Sequence, residues 1–495
     1  MKILLINPNC GFQPLMQSAP LGLLSIATYV KERGSHVRIY DRNVEKISPA
    51  KVAQAFQPDV VGVSVNSTMH IYDAVVVSRD FRKKGIPVIW GGNMASLVPE
   101  MILREGGADY VVIGEGEITF HELIQAIEEK RDPAQIKGIV YLGESGSICR
   151  TPEREFADLA DFPVIDWSFI DPKKYFFPHI CCKKMMNLYA SKGCPGRCAF
   201  CYNKDFHRSK CRRRPNEYVI SEIVELATKH GMDGVCFTDD MFGLNKIDLY
   251  DLCGRLRDLN IVWRCSTRLG HLSREDLQLM YDAGCRWIFY GVESGSPEML
   301  KRMHKEIDLV TVEKDFQYCR EIGISATCGF VIGLPDETEE QLRDSVRLML
   351  RLDANLHQAT IFYPFPGTEF YDYLVEAGQL VPFQTLKEFG GNMLLEGLFA
   401  NFSDVPTRDL HVIQCFFYWR SFFRKDFSKD AARYEFARNS IVDSVRHILQ
   451  QGFFNMCRYG LSSARLFFTI AWYNFAYPGI RKKYGLYGDA KGNKQ

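Results

Sequence analysis

Little in this chain of 495 residues points toward a polyanion, a bilayer or an oxidising compartment. Charge of either sign is missing in excess: 61 Lys and Arg against 60 Asp and Glu leave +1, which gives no basic field for nucleic acid. No stretch approaches the ~20 apolar residues of a membrane-spanning helix. The 16 cysteines form no regular disulfide framework, and Met1-Lys-Ile-Leu-Leu-Ile-Asn7 runs straight into a strand where a signal peptide would stand. A reducing cytoplasm is therefore expected. The densest cysteine group lacks a second C-x2-C pair, which disfavours structural zinc, because that ion usually takes four ligands as two separated pairs. The remainder, 46% hydrophobic and 24% charged residues, is ordinary for a globular protein, and the length allows about two to four domains.

That dense group is Cys194-Pro-Gly-Arg-Cys198-Ala-Phe-Cys201, with C-x3-C-x2-C spacing and Pro195 and Gly196 to bend it. A 4Fe-4S cluster normally takes four cysteines, so three in one tight loop leave an iron open to a ligand that is not protein.

Residues 1–140 carry five short apolar runs separated by amphipathic segments: Ile3 to Asn7, Val37 to Asp41, Val60 to Val65, Val88 to Gly92 and Tyr110 to Gly114. Near-continuous apolar runs are strands covered on both faces, which predicts a doubly wound parallel sheet, Rossmann-like or flavodoxin-like. Ligands of such sheets sit beyond the carboxyl ends of the strands. Those ends carry Asn7, Pro8 and Gly22; Ser64, Asn66, Ser67 and Thr68; Gly91, Gly92 and Ser96; and Gly114-Glu115-Gly116-Glu117. Any one glycine there makes a turn and nothing more. Four crowded strand ends in register suit a large flat ligand that needs close backbone approach and hydroxyl partners.

Residues 141–185 read as a connector rich in proline, acidic residues and aromatics; the adjacent Cys181 and Cys182 cannot readily point at one ion. Residues 186–385 repeat strand and helix six times, with strands at Met186 to Ala190, Gly234 to Thr238, Ile261 to Ser266, Trp287 to Val292, Thr327 to Ile332 and Ala359 to Tyr363. The cysteine loop follows the first of these, at the end where barrel active sites collect. Residues 386–495 read as helical, over Thr407 to Lys425, Lys429 to Gln451 and Phe453 to Tyr477, with stripes such as Val412, Phe416, Trp419 and Phe423 that mean packing. Within the last stretch Leu466 to Tyr477 is aromatic and flanked by basic residues. It is too short to span a bilayer; packing is the favoured reading, and peripheral membrane contact or a cover for a greasy substrate competes with it.

The cysteine loop, with Phe200 before its last cysteine, resembles that of the radical S-adenosylmethionine enzymes, and the six units resemble their partial (β/α)6 barrel. The N-terminal segment is similar to the cobalamin-binding domain of one subclass, through Asp41, Gly91-Gly92 and Gly114 to Glu117. The resemblance covers residues 1 to about 380 and implies an α/β chain in which a Rossmann-like cobalamin-binding domain precedes a radical S-adenosylmethionine barrel and a helical C-terminal region. It implies that Cys194, Cys198 and Cys201 hold the 4Fe-4S cluster and that S-adenosylmethionine fills the open iron. Asp239 or Asp240 would then hold its amino group, unless one of them caps the next helix. Arg268 would pair with its carboxylate, Glu293 would contact the amino group or ribose, and Gly329 to Pro335, with Gly333, would lie against adenine. Pro8, Gly22, Ser64, Thr68, Gly91, Gly92, Gly114, Glu115, Gly116 and Glu117 would line cobalamin.

Two departures from the family pattern stand out. The Asp-x-His-x-x-Gly motif is missing, and Asn93-Met94 replaces the histidine often found after Gly-Gly, so cobalamin with water or no lower ligand is expected. The implied chemistry is a 5′-deoxyadenosyl radical acting on an unactivated carbon of a small-molecule substrate, most often with methyl transfer, otherwise with cyclisation, oxidation or rearrangement. The implied setting is anaerobic, with flavodoxin or ferredoxin as reductant, and the apolar C-terminus tilts the substrate toward a hydrophobic molecule. A non-catalytic redox, cobalamin-carrier or zinc module would not need Arg268, Glu293 and the Gly329 to Pro335 element together.

Overall fold

A computed structural model describes residues 1–10, 17–179, 181–390, 400–422, 472–473 and 476–486. The chain divides into two compact units: Met1–Phe176 with Tyr202–His230 and Phe365–Phe399, and Phe177–Cys201 with Gly231–Pro364 and Ala400–Gln495.

The first unit is built on a seven-stranded sheet. Strands β1 (Lys2–Asn7), β2 (His36–Asp41), β3 (Val60–Ser64), β4 (Val88–Gly91) and β5 (Tyr110–Val112) are parallel in the order β2-β1-β3-β4-β5. This is the flavodoxin-like doubly wound order, and the chain reverses direction across the sheet between β1 and β3. Every residue of β3 is buried, as expected for a strand covered on both faces. Strands β6 (Ile139–Leu142) and β7 (Ile148–Arg150) continue the sheet antiparallel. The acidic residues of the expected connector have a local use: Asp158, Asp166 and Asp171 each cap a short 3₁₀ turn by accepting the N–H two residues on.

Residues 202–230, expected within the barrel segment, belong to this first unit. The helix Asn216–His230 brings in Glu222, fully buried, which pairs with Arg214 and accepts the Ile165 N–H at 3.0 Å. A buried carboxylate needs such partners, and here one is local, eight residues away, and the other 57 residues away.

The second unit has strands β8 (Phe177–His179), β9 (Cys182–Leu188), β10 (Gly234–Phe237), β11 (Val262–Thr267), β12 (Cys285–Glu293), β13 (Ser325–Ile332) and β14 (Leu356–Ile361). They are ordered β14-β13-β12-β11-β10-β9-β8, parallel from β9 to β14 with β8 antiparallel at the edge. The crossover helices start where the sequence supplies caps: Asn245, Ser273 with Asp276, Asp308, and Thr338 with Gln341. Each such cap contributes about 1 kcal/mol. The helix Thr407–Phe422 packs on β14, where Gln414 Nε2 donates to the Ala359 carbonyl at 3.1 Å, and the Phe417 and Phe330 rings meet at 5.3 Å. Among the described residues no helix is long and apolar enough to cross a membrane. The expected helix Lys429 to Gln451 and most of Phe453 to Tyr477 lie outside the described residues.

Candidate active site

The cysteine loop follows β9 in the second unit. Cys194, Cys198 and Cys201 are half-buried. The Gly196 N–H donates to Cys194 Sγ at 3.4 Å, the Cys201 N–H to the Cys198 carbonyl at 3.0 Å, and the buried Ala199 N–H to the Met303 carbonyl at 3.0 Å. A Cβ on Gly196 would lie 3.3 Å from Cys194 Sγ, 3.9 Å from Cys198 Sγ and 3.8 Å from Arg268 Nη1, so two thiols and a guanidinium gather around a residue with no side chain. Among the described residues no three His, Cys, Asp or Glu side chains converge on a single-ion position. A cubane takes each thiolate on a separate iron, so three cysteines in one loop would hold a cluster and leave one iron open. Phe200 is half-buried beside these thiols in the chain.

Asp239 and Asp240, after β10, brace this loop. Asp239 is buried and accepts from the Ala190 N–H at 3.0 Å and from the Ser191 hydroxyl; Asp240 accepts the Gly193 N–H at 2.9 Å. Neither caps the next helix, which starts on Asn245. These bonds hold the residues that lead into Cys194.

Glu293 ends β12 with φ +68°, a left-handed conformation unusual outside glycine, and its Oε1 meets Lys305 Nζ at 2.9 Å. A Cβ on Gly291 would stand 2.2 Å from that Oε1, so the glycine leaves room for the ion pair. Lys305 escaped the sequence reading because it is one basic residue among Lys301, Arg302 and His304. Burial pulls its pKa down, yet Glu293 and Cys198 outweigh this and raise it. Burial pushes the Cys198 thiol up, while Lys305 and Arg268 pull it back toward the thiolate that iron requires. Arg268 also donates to the Glu306 carbonyl at 3.2 Å.

Gly329 and Gly333 have packing reasons of their own. A Cβ on Gly329 would lie 2.6 Å from the Phe289 ring, and one on Gly333, at φ +72°, 2.8 Å from Leu410 Cδ1. The turn after β13 is held by Glu337, fully buried, whose Oε2 accepts the Gly333 N–H at 2.7 Å and the Leu334 N–H at 3.3 Å. Its Oε1 has no partner, and burial raises its pKa to about 7.

In the first unit, strand pairing sets Asn7 beside Asp41 at the carboxyl ends of β1 and β2. Asp41 accepts from Asn7 Nδ2, Asn43 Nδ2 and Tyr175 Oη, each at 3.0 Å, and Asn43 Nδ2 also reaches the Pro8 carbonyl. After β3, the Ser64 hydroxyl accepts from Asn66 Nδ2 at 3.1 Å, while Thr68 Oγ1 and His70 Nδ1 are buried without a partner. Gly92, at φ +102°, would drive a Cβ to 2.6 Å from Asn66 Oδ1 and 2.8 Å from the Val65 carbonyl. Gly91 leaves room, the nearest atom to its Cβ position being 3.8 Å away. The Ser96 hydroxyl ties the fourth and fifth strand ends together, donating to the Gly92 carbonyl and accepting the Gly114 N–H, both at 3.0 Å. Gly22 and Gly114 face open space.

The rest of the Gly-Glu-Gly-Glu run has structural partners. Glu115 pairs with Arg212, Glu117 is buried and accepts the Ser25 hydroxyl at 2.7 Å, and a Cβ on Gly116 would meet Ile26 Cδ1 at 2.9 Å. Partnerless buried polar atoms on Thr68 and His70, open strand ends at Gly91 and Gly114, and amide-rich side chains beside them fit the polar rim of a corrin.

Six parallel βα units with a three-cysteine loop after the first strand define the radical S-adenosylmethionine class. Residues 188–349 match the radical SAM superfamily, and residues 15–124 match the B12 binding domain. An uncharacterized methyltransferase from Pyrococcus horikoshii is 31% identical over 388 residues, spanning 76% of this chain and 83% of that protein. The anaerobic magnesium-protoporphyrin IX monomethyl ester cyclase of Rubrivivax gelatinosus is 23% identical over 477 residues, 93% of this chain and 85% of that one. Among solved structures, the radical S-adenosylmethionine methyltransferase TsrM from Kitasatospora setae, with cobalamin and a 4Fe-4S cluster bound, matches with a TM-score of 0.66 at 23% identity, covering 76% of this chain and 78% of that chain. The chain belongs to the cobalamin-binding radical S-adenosylmethionine enzymes, whose cofactors are a 4Fe-4S cluster, S-adenosylmethionine and cobalamin.

Proposed function

We propose that this enzyme methylates an unactivated carbon of a small molecule. One observation carries the reading: a single chain holds both a three-cysteine loop at the mouth of six βα units and a doubly wound sheet with partnerless polar atoms at its strand ends. When bound, the cluster supplies the electron that splits S-adenosylmethionine to a 5′-deoxyadenosyl radical, and cobalamin supplies the methyl group.

The chain's own residues then bind and orient. Cys194, Cys198 and Cys201 would hold the cluster, with Asp239 and Asp240 fixing the backbone that leads into the loop. Arg268 and Lys305 would give the S-adenosylmethionine carboxylate two cations, and Glu293, which pairs with Lys305, would offer an acceptor to the amino group or ribose. The Gly329 to Pro335 backbone would lie against adenine. Thr68, Ser64, Pro8, Gly22, Gly91, Gly92 and Gly114 would border cobalamin, with Glu115, Gly116 and Glu117 supporting that border from behind. A flavodoxin or ferredoxin would deliver the electron.

A second reading, oxidative ring closure, has its own support: the similarity to the Rubrivivax cyclase extends over 93% of this chain, whereas that to the Pyrococcus methyltransferase covers 76%. A hydrophobic substrate, tetrapyrrole or isoprenoid, fits either outcome. The experiment is anaerobic reconstitution with iron and sulfide, then reduction with hydroxocobalamin and methyl-deuterated S-adenosylmethionine over a panel of such substrates. Release of 5′-deoxyadenosine that vanishes in Cys198→Ala, together with deuterated methyl in product, supports methylation. Turnover with no label in product sinks it in favour of ring closure or oxidation.

A further inference from the structure

Strand β11 alternates cleanly along its length. Trp263, Cys265 and Thr267 are buried, whereas Val262, Arg264 and Ser266 are half-buried, so the two sets point to opposite faces of the sheet. The buried set faces the helices: Tyr290, level with Thr267 in the next strand, brings its hydroxyl to 3.6 Å from Cys319 Sγ on the helix Leu309–Ile322. Arg264 and Ser266 lie on the other face, which leads up the strand to Arg268 beside the cysteine loop. Four residues, about 13 Å of strand, separate the two arginines.

Strand register sets Cys236, Arg264 and Trp287 in one row across β10, β11 and β12. His179 of the edge strand stands edge-on to Trp287, ring centres 5.3 Å apart, and Trp287 Nε1 donates to Thr327 Oγ1 at 2.7 Å. Arg264 is the charged member of this row, and among the described residues its guanidinium has no hydrogen-bond or ion-pair partner. Its neighbours supply no countercharge. Burial, reinforced by Arg264 itself, holds the pKa of His179 down at about 3, and burial raises that of the Cys236 thiol, so both are neutral. Asp239, whose charge reaches Cys236, already accepts from the Ala190 N–H and the Ser191 hydroxyl. Guanidinium groups drawn partly out of water are normally paired.

The same face carries further unused polar groups. The half-buried side chains of Ser266 and Gln358 also have no hydrogen-bond partner among the described residues. Gln358 is level with Gly329, where the missing side chain leaves space for the Phe289 ring, and Phe289 is level with Ser266. The planar guanidinium fork matches a carboxylate through two parallel hydrogen bonds, and one unopposed positive charge calls for one negative charge.

We propose that the substrate carries a carboxylate and that Arg264 receives it, with Ser266 and Gln358 as hydrogen-bond partners and Phe289 against the apolar body. The substrate is then an amphipathic acid whose carboxylate lies several bonds from the reacting carbon, since Arg264 sits well below the cysteine loop. This rests on the reading that a small molecule is turned over at the mouth of these βα units.

The test uses the full chain, reconstituted anaerobically with iron, sulfide and cobalamin, and two probe pairs: protoporphyrin IX and a linear isoprenoid acid, each against its neutral primary amide. Isothermal titration calorimetry reads binding. At least one acid should bind roughly tenfold or more tightly than its amide. That margin should vanish in Arg264→Gln and be partly kept in Arg264→Lys, which retains the charge without the fork. Equal binding of acids and amides, no binding by either acid, or a margin that survives Arg264→Gln overturns the assignment. The wild-type comparison needs no variant, so misfolding of Arg264→Gln would not blur it. An acid preference without deuterated methyl in product keeps the carboxylate site and removes methylation, whereas methyl transfer to an amide as readily as to its acid keeps methylation and removes the role of Arg264.

Discussion

Glu337 offers the sharpest physical prediction, because one carboxyl group controls the turn that would carry adenine. Burial without a partner for Oε1 outweighs the two N–H donors on Oε2, so the folded pKa rises from the usual 4.5 to about 7. Folding thus favours the protonated acid. Its contribution is complete below about pH 4.5, fades as pH rises through about 7, and is gone above that. The gap corresponds to roughly 3 kcal/mol. Glu337→Gln keeps an oxygen for the Gly333 and Leu334 N–H groups and removes the charge. The variant should match or fall slightly below wild type at pH 4.5 and exceed it by about 2–3 kcal/mol at pH 8. Urea unfolding of the cofactor-free chain across pH 4.5–8, followed by tryptophan fluorescence, measures the difference. Parallel pH profiles for the two proteins would refute the assignment of a raised carboxyl to Glu337.

Three further outcomes follow from the same contacts. Lys305→Met and Glu293→Gln should each lower stability by about 3–5 kcal/mol, because each strands a charge that is largely shielded from water, while the double variant loses much less than the sum; a double-mutant cycle with no coupling would contradict the pair's importance. Gly92→Ala should lower the melting temperature far more than Gly114→Ala, since both carry positive φ but only at Gly92 does the added methyl strike backbone 2.8 Å away; strain alone costs about 1–2 kcal/mol. Asp240→Ala should release the Gly193 N–H and reduce iron retained after reconstitution, while Asp240→Asn, which keeps an acceptor oxygen, retains more; equal iron in both variants would remove the bracing role.

The strands were legible because burial on both faces writes a continuous apolar run into the chain: β1 is Lys-Ile-Leu-Leu-Ile-Asn and β3 is Val-Val-Gly-Val-Ser. The spacing of Cys194, Cys198 and Cys201 was equally plain, because all three ligands come from one short loop. Local pattern could not reveal partners contributed by distant segments. Glu115 and Glu117 read as ligand contacts, yet Arg212 and Ser25, each more than ninety residues away, engage them. The helix Asn216–His230 lies within the stretch that matches the radical SAM superfamily, yet its buried Glu222 accepts the N–H of Ile165, 57 residues away, which no local pattern announces.

By itself, then, the order of apolar runs determined two α/β units, and cysteine spacing determined an iron-sulfur loop, since both signals are periodic or contiguous. Tertiary structure alone decided which charges are neutralised and which polar atoms are left over. Lys305 meets Glu293 where a glycine makes room for the pair, and Glu337 keeps one oxygen without a partner. Those outcomes depend on burial and on pairing between residues far apart in the chain, which no periodicity encodes.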